Sequence, residues 1–181
     1  QQRDVSAVVH GAQQVAQRKA QFVERGAVRR IDLGLVGTTR FLGVVGIGFD
    51  ALVTEEVRRT RRGPLGYHGY ALPILRALRR YRPPRLEVRL DGGAPIACGF
   101  AIVAKLPNYG GLFRVTPAAR PDSGHVDVCL FRDATVRGLL RIVWPARRGT
   151  LAERSGVVVA TATRIEIDSA GPEPASVQVD G

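Results

Sequence analysis

Hydrophobic positions along the chain change period several times, and each change marks a predicted element. From residue 5 to residue 24, Val8, Val9, Ala12, Val15, Ala16, Ala20 and Val23 recur at helical spacing, with Asp4 as N-cap and Gly26 as a stop. The period then shortens. Val28 to Leu35 alternates as a strand, Gly37-Thr38-Thr39 forms a turn, and Arg40 to Ile47 reads as a second, more apolar strand. At Gly48-Phe49-Asp50-Ala51 strand gives way to a polar helix reaching Arg62, which Gly63-Pro64 breaks. Another helix runs from about Tyr67 to Tyr81, with Ala71, Ile74, Leu75 and Leu78 on one stripe and Arg76, Arg79, Arg80 and Arg82 off it. Pro83-Pro84 ends that helix.

Beyond Pro84 the pattern is mostly that of strands. Leu86-Val88-Leu90 alternates, Asp91-Gly92-Gly93 is a hairpin signal, and Pro95 to Ala104 returns as a buried strand. Phe113 to Val115 and Val126 to Phe131 flank a turn at Asp122-Ser123-Gly124, and Thr135 to Trp144 makes one more helix. Val157 to Ala162, Arg164 to Ile167 and Ser176 to Val179 supply three short strands. Helices interrupt the strands irregularly, which argues against a doubly wound sheet. The pattern predicts a mainly β chain with accessory helices (α+β), an antiparallel sandwich or barrel.

Composition narrows the class. The chain has 181 residues, 45% hydrophobic and 24% charged, enough for a packed core in one domain or two small ones. Its two cysteines, Cys98 and Cys129, sit in apolar runs, which excludes a disulfide scaffold and a four-cysteine zinc module. No run of about 18 apolar residues predicts a membrane span, and no secretory signal opens the chain, so a reducing, cytoplasmic setting is expected. The net charge is +11, and of 27 basic residues only Lys19 and Lys105 are lysines. Such an arginine excess fits a GC-rich codon bias, and equally an attraction to a polyanion: nucleic acid, anionic lipid or a phosphorylated substrate.

Familiar catalytic motifs do not account for the sequence. His10, His68 and His125 are scattered without metal-ligand spacing, and no nucleophile elbow or phosphate-binding loop occurs. Gly43-Val44-Val45-Gly46-Ile47-Gly48 lacks dinucleotide-loop order and reads as a glycine-kinked strand. Three clusters remain. Asp50 sits at a strand-to-helix corner, where an Asp also serves as an ordinary cap. Asn108-Tyr109-Gly110-Gly111, followed by Asp122-Ser123-Gly124-His125-Val126-Asp127, offers backbone amides that can approach an anion, or simply turns. Asp180 follows the apolar Val177-Gln178-Val179.

Taken in order, these clusters resemble the C-terminal domain of the diacylglycerol kinase and sphingosine kinase family, including bacterial soluble lipid kinases. The resemblance runs through Ile31-Asp32-Leu33-Gly34, Phe41 to Ala51, Arg61 to Tyr81, Asn108 to Val128 and Val177 to Gly181. It implies that residues 1–181 form the lipid-binding β-sandwich domain of an ATP-dependent lipid kinase, whose nucleotide-binding domain, with its Gly-Gly-Asp-Gly-Thr motif, precedes Gln1. On this resemblance Asp180 is the catalytic carboxylate, with the family's following Glu falling beyond Gly181. Asp50, Asn108, Gly110 and Gly111 are substrate-binding, and Asp122 belongs to a structural Mg²⁺ site. Two departures bear on that picture: Ser123 stands where the family has the Asp of its Asp-Gly turn, and Leu112 replaces a third glycine. A hydroxyl is a poorer ligand for a hard cation than a carboxylate.

The implied cofactors are ATP and Mg²⁺, held mainly by the other domain, so this part alone is expected to be inactive. The implied partners are a lipid substrate, that ATP-binding domain, an anionic membrane surface met peripherally, and a second copy in a homodimer. Arg58, Arg59, Arg61, Arg62, Arg76, Arg79, Arg80, Arg82 and Arg85 cluster around two helices, where they form either a bilayer-facing surface or a solvated face. A nucleic-acid-binding β module is the first alternative. It calls for aromatics among basic strand residues, whereas aromatics are 6% of the chain and the arginines lie on helices. A kinase-like domain with only a regulatory role is the second. NAD kinase, with a related nucleotide motif, would not be expected to carry the arginine helix.

Overall fold

The structure is a computed structural model and describes residues 7–10, 20–24, 27–60, 67–170 and 175–180. Two antiparallel sheets stack face to face. The outer sheet has six strands in the order β5-β4-β1-β14-β7-β8: Thr39–Phe41, Gly34–Val36, Ala7–His10, Arg164–Ser169, Leu86–Leu90 and Ile96–Cys98. The central sheet has five in the order β13-β12-β9-β6-β15: Val157–Ala162, Val126–Phe131, Phe100–Ala104, Val44–Ile47 and Val177–Val179. Among the described residues three α-helices accompany them: α1 (Phe49–Thr60), α2 (Ala71–Arg80, after a 3-10 turn over Tyr67–Tyr70) and α3 (Val136–Arg148). The mainly β, antiparallel sandwich expected from the pattern is what forms.

Side-chain alternation on the central sheet separates two cores. Ala101 and Val103 on β9, with Val126, Val128 and Leu130 on β12, face the outer sheet and meet Leu86, Val88, Ile165 and Ile167. Phe100, Ile102, Cys129 and Phe131 point the other way, into a second core closed by Tyr81, Leu139 and Ala146 from the helical side. The chain therefore has three layers. Burial on both faces explains why β9 and β12 read as continuous apolar runs rather than as alternating ones.

Several predicted elements change. Where residues 5 to 24, expected as a helix, are described, they are strand: Ala7–His10 is β1, paired with β14 and β4, and Ala20–Glu24 is β2, paired with β3 (Ala27–Ile31) as a separate ribbon, while residues 5, 6 and 11–19 lie outside the described residues. The run is rich in β-branched valine, and cross-strand pairing overrides a helical period this short. Asp4 and Gly26 lie outside the described residues, as do Arg61, Arg62 and Gly63-Pro64. The single strand expected over Val28 to Leu35 divides into β3 and β4, and that over Arg40 to Ile47 into β5 and β6. Pro95 to Ala104 is broken at Gly99 so that β8 joins the outer sheet and β9 the central one. A Cβ at Gly99 would lie 2.8 Å from the Ala134 methyl, so only glycine lets the chain change layers there.

The helices also differ in detail. α2 buries Pro73 and Ala77, while Ile74 and Leu75 of the expected stripe stay 37% and 46% exposed. It is tied to α1 by Arg80, whose guanidinium donates to Glu56 at 2.9 Å. α3 runs past Trp144 and through Pro145 to Arg148. Thr135 caps its start by accepting from Gly138 N–H, and Gly149, at φ 73°, closes its end.

Candidate active site

One end of the central sheet gathers most of the residues singled out in the sequence. There β6 begins, β9 ends and β15 ends, because β6 runs antiparallel to both neighbours. Asp180 follows β15 in the left-handed region, at φ 54°, and its N–H donates to Val44 O at 2.9 Å. This turns the carboxylate over the start of β6. Oδ2 accepts the Leu42 N–H at 2.7 Å, and Oδ1 accepts those of Gly43 and Val44 at 2.8 and 2.9 Å. A Cβ at Gly43 would lie 3.1 Å from Asp180 Oδ1, so the bare glycine gives the carboxylate its seat. Three of its four lone-pair sites are filled, and the remaining one is on Oδ2.

Asp50 lies beyond the other end of β6, in the first turn of α1. It is buried, at 4% exposure, and burial raises its carboxyl from 3.8 to about 6 even though the Gln178 amide favours the charged form. Gln178 faces Gly46 across the β15–β6 pair and donates through Nε2 to Asp50 Oδ2. A side chain at 46 would collide with the Asp50 carboxylate, so the glycine of β6 opens the space the two polar groups share. Gln178 stands two residues, about 7 Å, from Asp180 along β15. Asp50 and Asp180 are thus joined through one edge strand without touching.

Asn108 is exposed at the start of a small hairpin, β10 (Asn108–Tyr109) with β11 (Phe113–Arg114), reached directly from Leu106. Gly110 and Gly111 form its tip at φ 56° and 73°, conformations that glycine adopts without penalty. Nothing lies within 4 Å of a Cβ built at Gly110, so its requirement is conformational and the tip is open. Leu106, 37% exposed, comes close to Gly43, beside the Asp180 seat. The chain entering the hairpin thus passes beside the Asp180 seat, at the same end of the central sheet.

Asp122 sits in the turn before β12, and its donor set does not fit a metal. Its carboxylate takes the Arg120 guanidinium at 3.2 Å, and the Ser123 hydroxyl donates to the Arg120 and His125 carbonyls. A cation of the protein's own is next to this turn. Lys105, 1% exposed, donates from Nζ to His125 O at 2.8 Å and to Asp32 Oδ2 at 3.2 Å, and the same Asp32 oxygen accepts the Gly124 N–H at 2.7 Å. Asp127, also buried, has its carboxyl raised by burial, against the opposing pull of His125 and Lys105. Among the described residues no group of three or more His, Cys, Asp or Glu side chains could hold a metal ion.

The pairing of Lys105 with Asp32 and the role of Gln178 emerge only in the structure. Lys105 carried a signal. It is one of two lysines in an arginine-dominated chain, at the end of a buried strand, where a compact ammonium on a flexible stem fits and a planar fork does not. Gln178 carried none, since its role depends on an empty position in the neighbouring strand.

A helix-backed antiparallel sandwich with a pinned carboxylate at one sheet end defines a class, and comparison with known proteins gives its family. Residues 43–181 match the family described as the YegS C-terminal NAD kinase beta sandwich-like domain, and the chain belongs to that family. It is 24% identical over 165 residues to the diacylglycerol kinase of Bacillus subtilis (strain 168), covering 91% of this chain and 54% of that protein. Two crystal structures from Bacillus anthracis str. Sterne share the fold. A candidate diacylglycerol kinase aligns with TM-score 0.60 at 18% identity, covering 86% of this chain and 50% of the other. A second diacylglycerol kinase aligns with TM-score 0.55 at 15% identity, covering 86% and 47%. The chain thus spans about half the length of the relatives it matches.

Proposed function

We propose that this chain is the acceptor-side half of an ATP-dependent lipid kinase, which transfers the γ-phosphoryl group of ATP to a lipid hydroxyl. The observation that carries the reading is the match of 91% of the chain to a diacylglycerol kinase. The nucleotide-binding half belongs to the remaining length of such relatives, and the rim between Asp180 and the Asn108–Gly111 hairpin is where the acceptor meets it. In the transfer, the hydroxyl oxygen forms a bond to the γ-phosphorus, the bond from that phosphorus to the bridging oxygen breaks, and the hydroxyl proton leaves to a carboxylate. Mg²⁺ arriving with ATP supplies charge neutralisation.

Asp180 has two tasks in this scheme. Its three backbone bonds fix the turn at Leu42–Val44 that lines the rim, and the free lone pair of Oδ2 receives the acceptor proton. Asp50 and Gln178 form the polar wall at the other end of β6, suited to a headgroup hydroxyl or amine. Asn108 presents an amide at the opposite lip, with Gly110 and Gly111 keeping the tip free of side chains.

The test is Asp180→Asn in the polypeptide that includes the nucleotide-binding half. Loss of the proton acceptor lowers kcat by about 10²–10⁴ while KM for lipid stays near the unsubstituted value. The amide cannot accept the Leu42 N–H as the carboxylate does, so a loss of stability no larger than that one bond, about 1–3 kcal/mol, separates this from a folding defect. Turnover at the unsubstituted rate would remove Asp180 from the chemistry.

A further inference from the structure

We propose that the outer face of the helical layer, centred on α3, docks on an anionic phospholipid bilayer, with Leu140 and Trp144 entering the interface. α3 is amphipathic on both of its faces. Leu139, Ile142 and Ala146 close the second core, while Val136, Leu140, Val143 and Trp144 form a stripe on the opposite side, 38%, 60%, 42% and 57% exposed. At 100° per residue these four positions span about one third of the helix circumference. Arg137, Arg141 and Arg148 run along one border of the stripe and Arg147 lies at its C-terminal end, all exposed. The sequence of α3 contains no acidic residue.

Two features favour a bilayer over a protein as the occupant. α3 carries four arginines and no carboxylate, with the Asp133 carboxylate just before it acting on Arg141; a lipid phosphate layer supplies dense negative charge at the level of the arginines while the stripe reaches the acyl boundary. α2 repeats the arrangement in the same layer: Leu72 and Leu75, 53% and 46% exposed, alternate with exposed Arg76 and Arg79. Trp144 also has the right chemistry, an apolar ring with a polar N–H, and Arg148 stacks 4.8 Å above it. Among the described residues no helix is long and apolar enough to cross a membrane, so the contact is with the surface. Gly149, which ends α3, lies beside Arg114 of the β10–β11 hairpin, so the helix adjoins that hairpin. The inference stands on the helix faces alone and is independent of whether the chain transfers phosphate.

Trp144 is the only tryptophan among these 181 residues, and in the whole polypeptide the emission lost on Trp144→Phe is the part that reports on the proposed surface. Vesicles of phosphatidylcholine mixed with phosphatidylglycerol should shift its emission to the blue and expose it to quenching by lipid-borne bromine, whereas phosphatidylcholine alone should do neither. Added salt should weaken the effect. Arg137→Ser and Arg141→Ser should each weaken vesicle binding about fivefold. Leu140→Ser should abolish it without altering the melting temperature, because the side chain is already in water. Unchanged emission with bound vesicles, or binding unaffected by Leu140→Ser, would overturn the proposal. So would emission already blue-shifted in vesicle-free solution, which would show that protein covers the face, from another part of the polypeptide or from a second copy.

Discussion

Lys105 ties together two segments that are far apart in the chain. Its ammonium sits between the Asp32 carboxylate and the carbonyl of His125, linking the turn before β12 to the segment before β4. Lys105→Met keeps the stem and removes the charge, leaving Asp32 without its cation and the His125 carbonyl without a donor. Loss of these charged hydrogen bonds should lower stability by about 1.5–3 kcal/mol in urea unfolding. Removing divalent metal with EDTA should leave the unsubstituted protein's melting temperature unchanged. A rise in melting temperature with added Mg²⁺ would contradict the donor assignment.

The corner between β6 and α1 shows what an element imposes on its residues. Gly46 leaves room, Gln178 reaches across from β15, and Asp50 is buried under the first turn of α1. The folded state prefers the protonated carboxyl, with its value raised from 3.8 to about 6. The contribution of Asp50 to stability is therefore full below about pH 4 and is lost as the pH rises through about 6. The loss is on the order of 3 kcal/mol. Asp50→Asn, which stays neutral, should flatten this part of the stability–pH curve and make the variant the more stable form near neutral pH. Parallel curves for the two proteins across pH 4–7 would contradict this.

Elements fixed by local rules were legible in the sequence. The Asp91-Gly92 turn, β12 and the start of α1 all lie where turn residues and apolar runs place them. Those decided by distant pairing were not. Ala7–His10 is a strand because β14 and β4 lie on either side of it, and nothing within the run reveals them. The division of Pro95 to Ala104 at Gly99 depends on which sheet each half joins, a choice made by tertiary contact. The same contrast holds at the site. Asp180 and Asp50 stand out as carboxylates beside apolar runs, whereas Gln178 gains its role only when β15 meets β6.

At the scale of the molecule, the layers divide the work. The two sheets provide the rigid frame, the sheet end with Asp180 and the hairpin forms the rim proposed to face a phosphate donor, and the helical layer presents arginine and exposed apolar side chains. A net charge of +11 adds long-range attraction to an anionic surface. Relatives extend to about twice this length, and the proposed activity belongs to a polypeptide that carries both halves. The most direct measurement is to incubate that polypeptide with ATP labelled in its γ-phosphate and lipid vesicles, then to separate organic from aqueous products. Label is expected in a lipid phosphomonoester, and is expected to be lost with Asp180→Asn. Label confined to water-soluble products, or lipid labelling that survives the substitution undiminished, would contradict this.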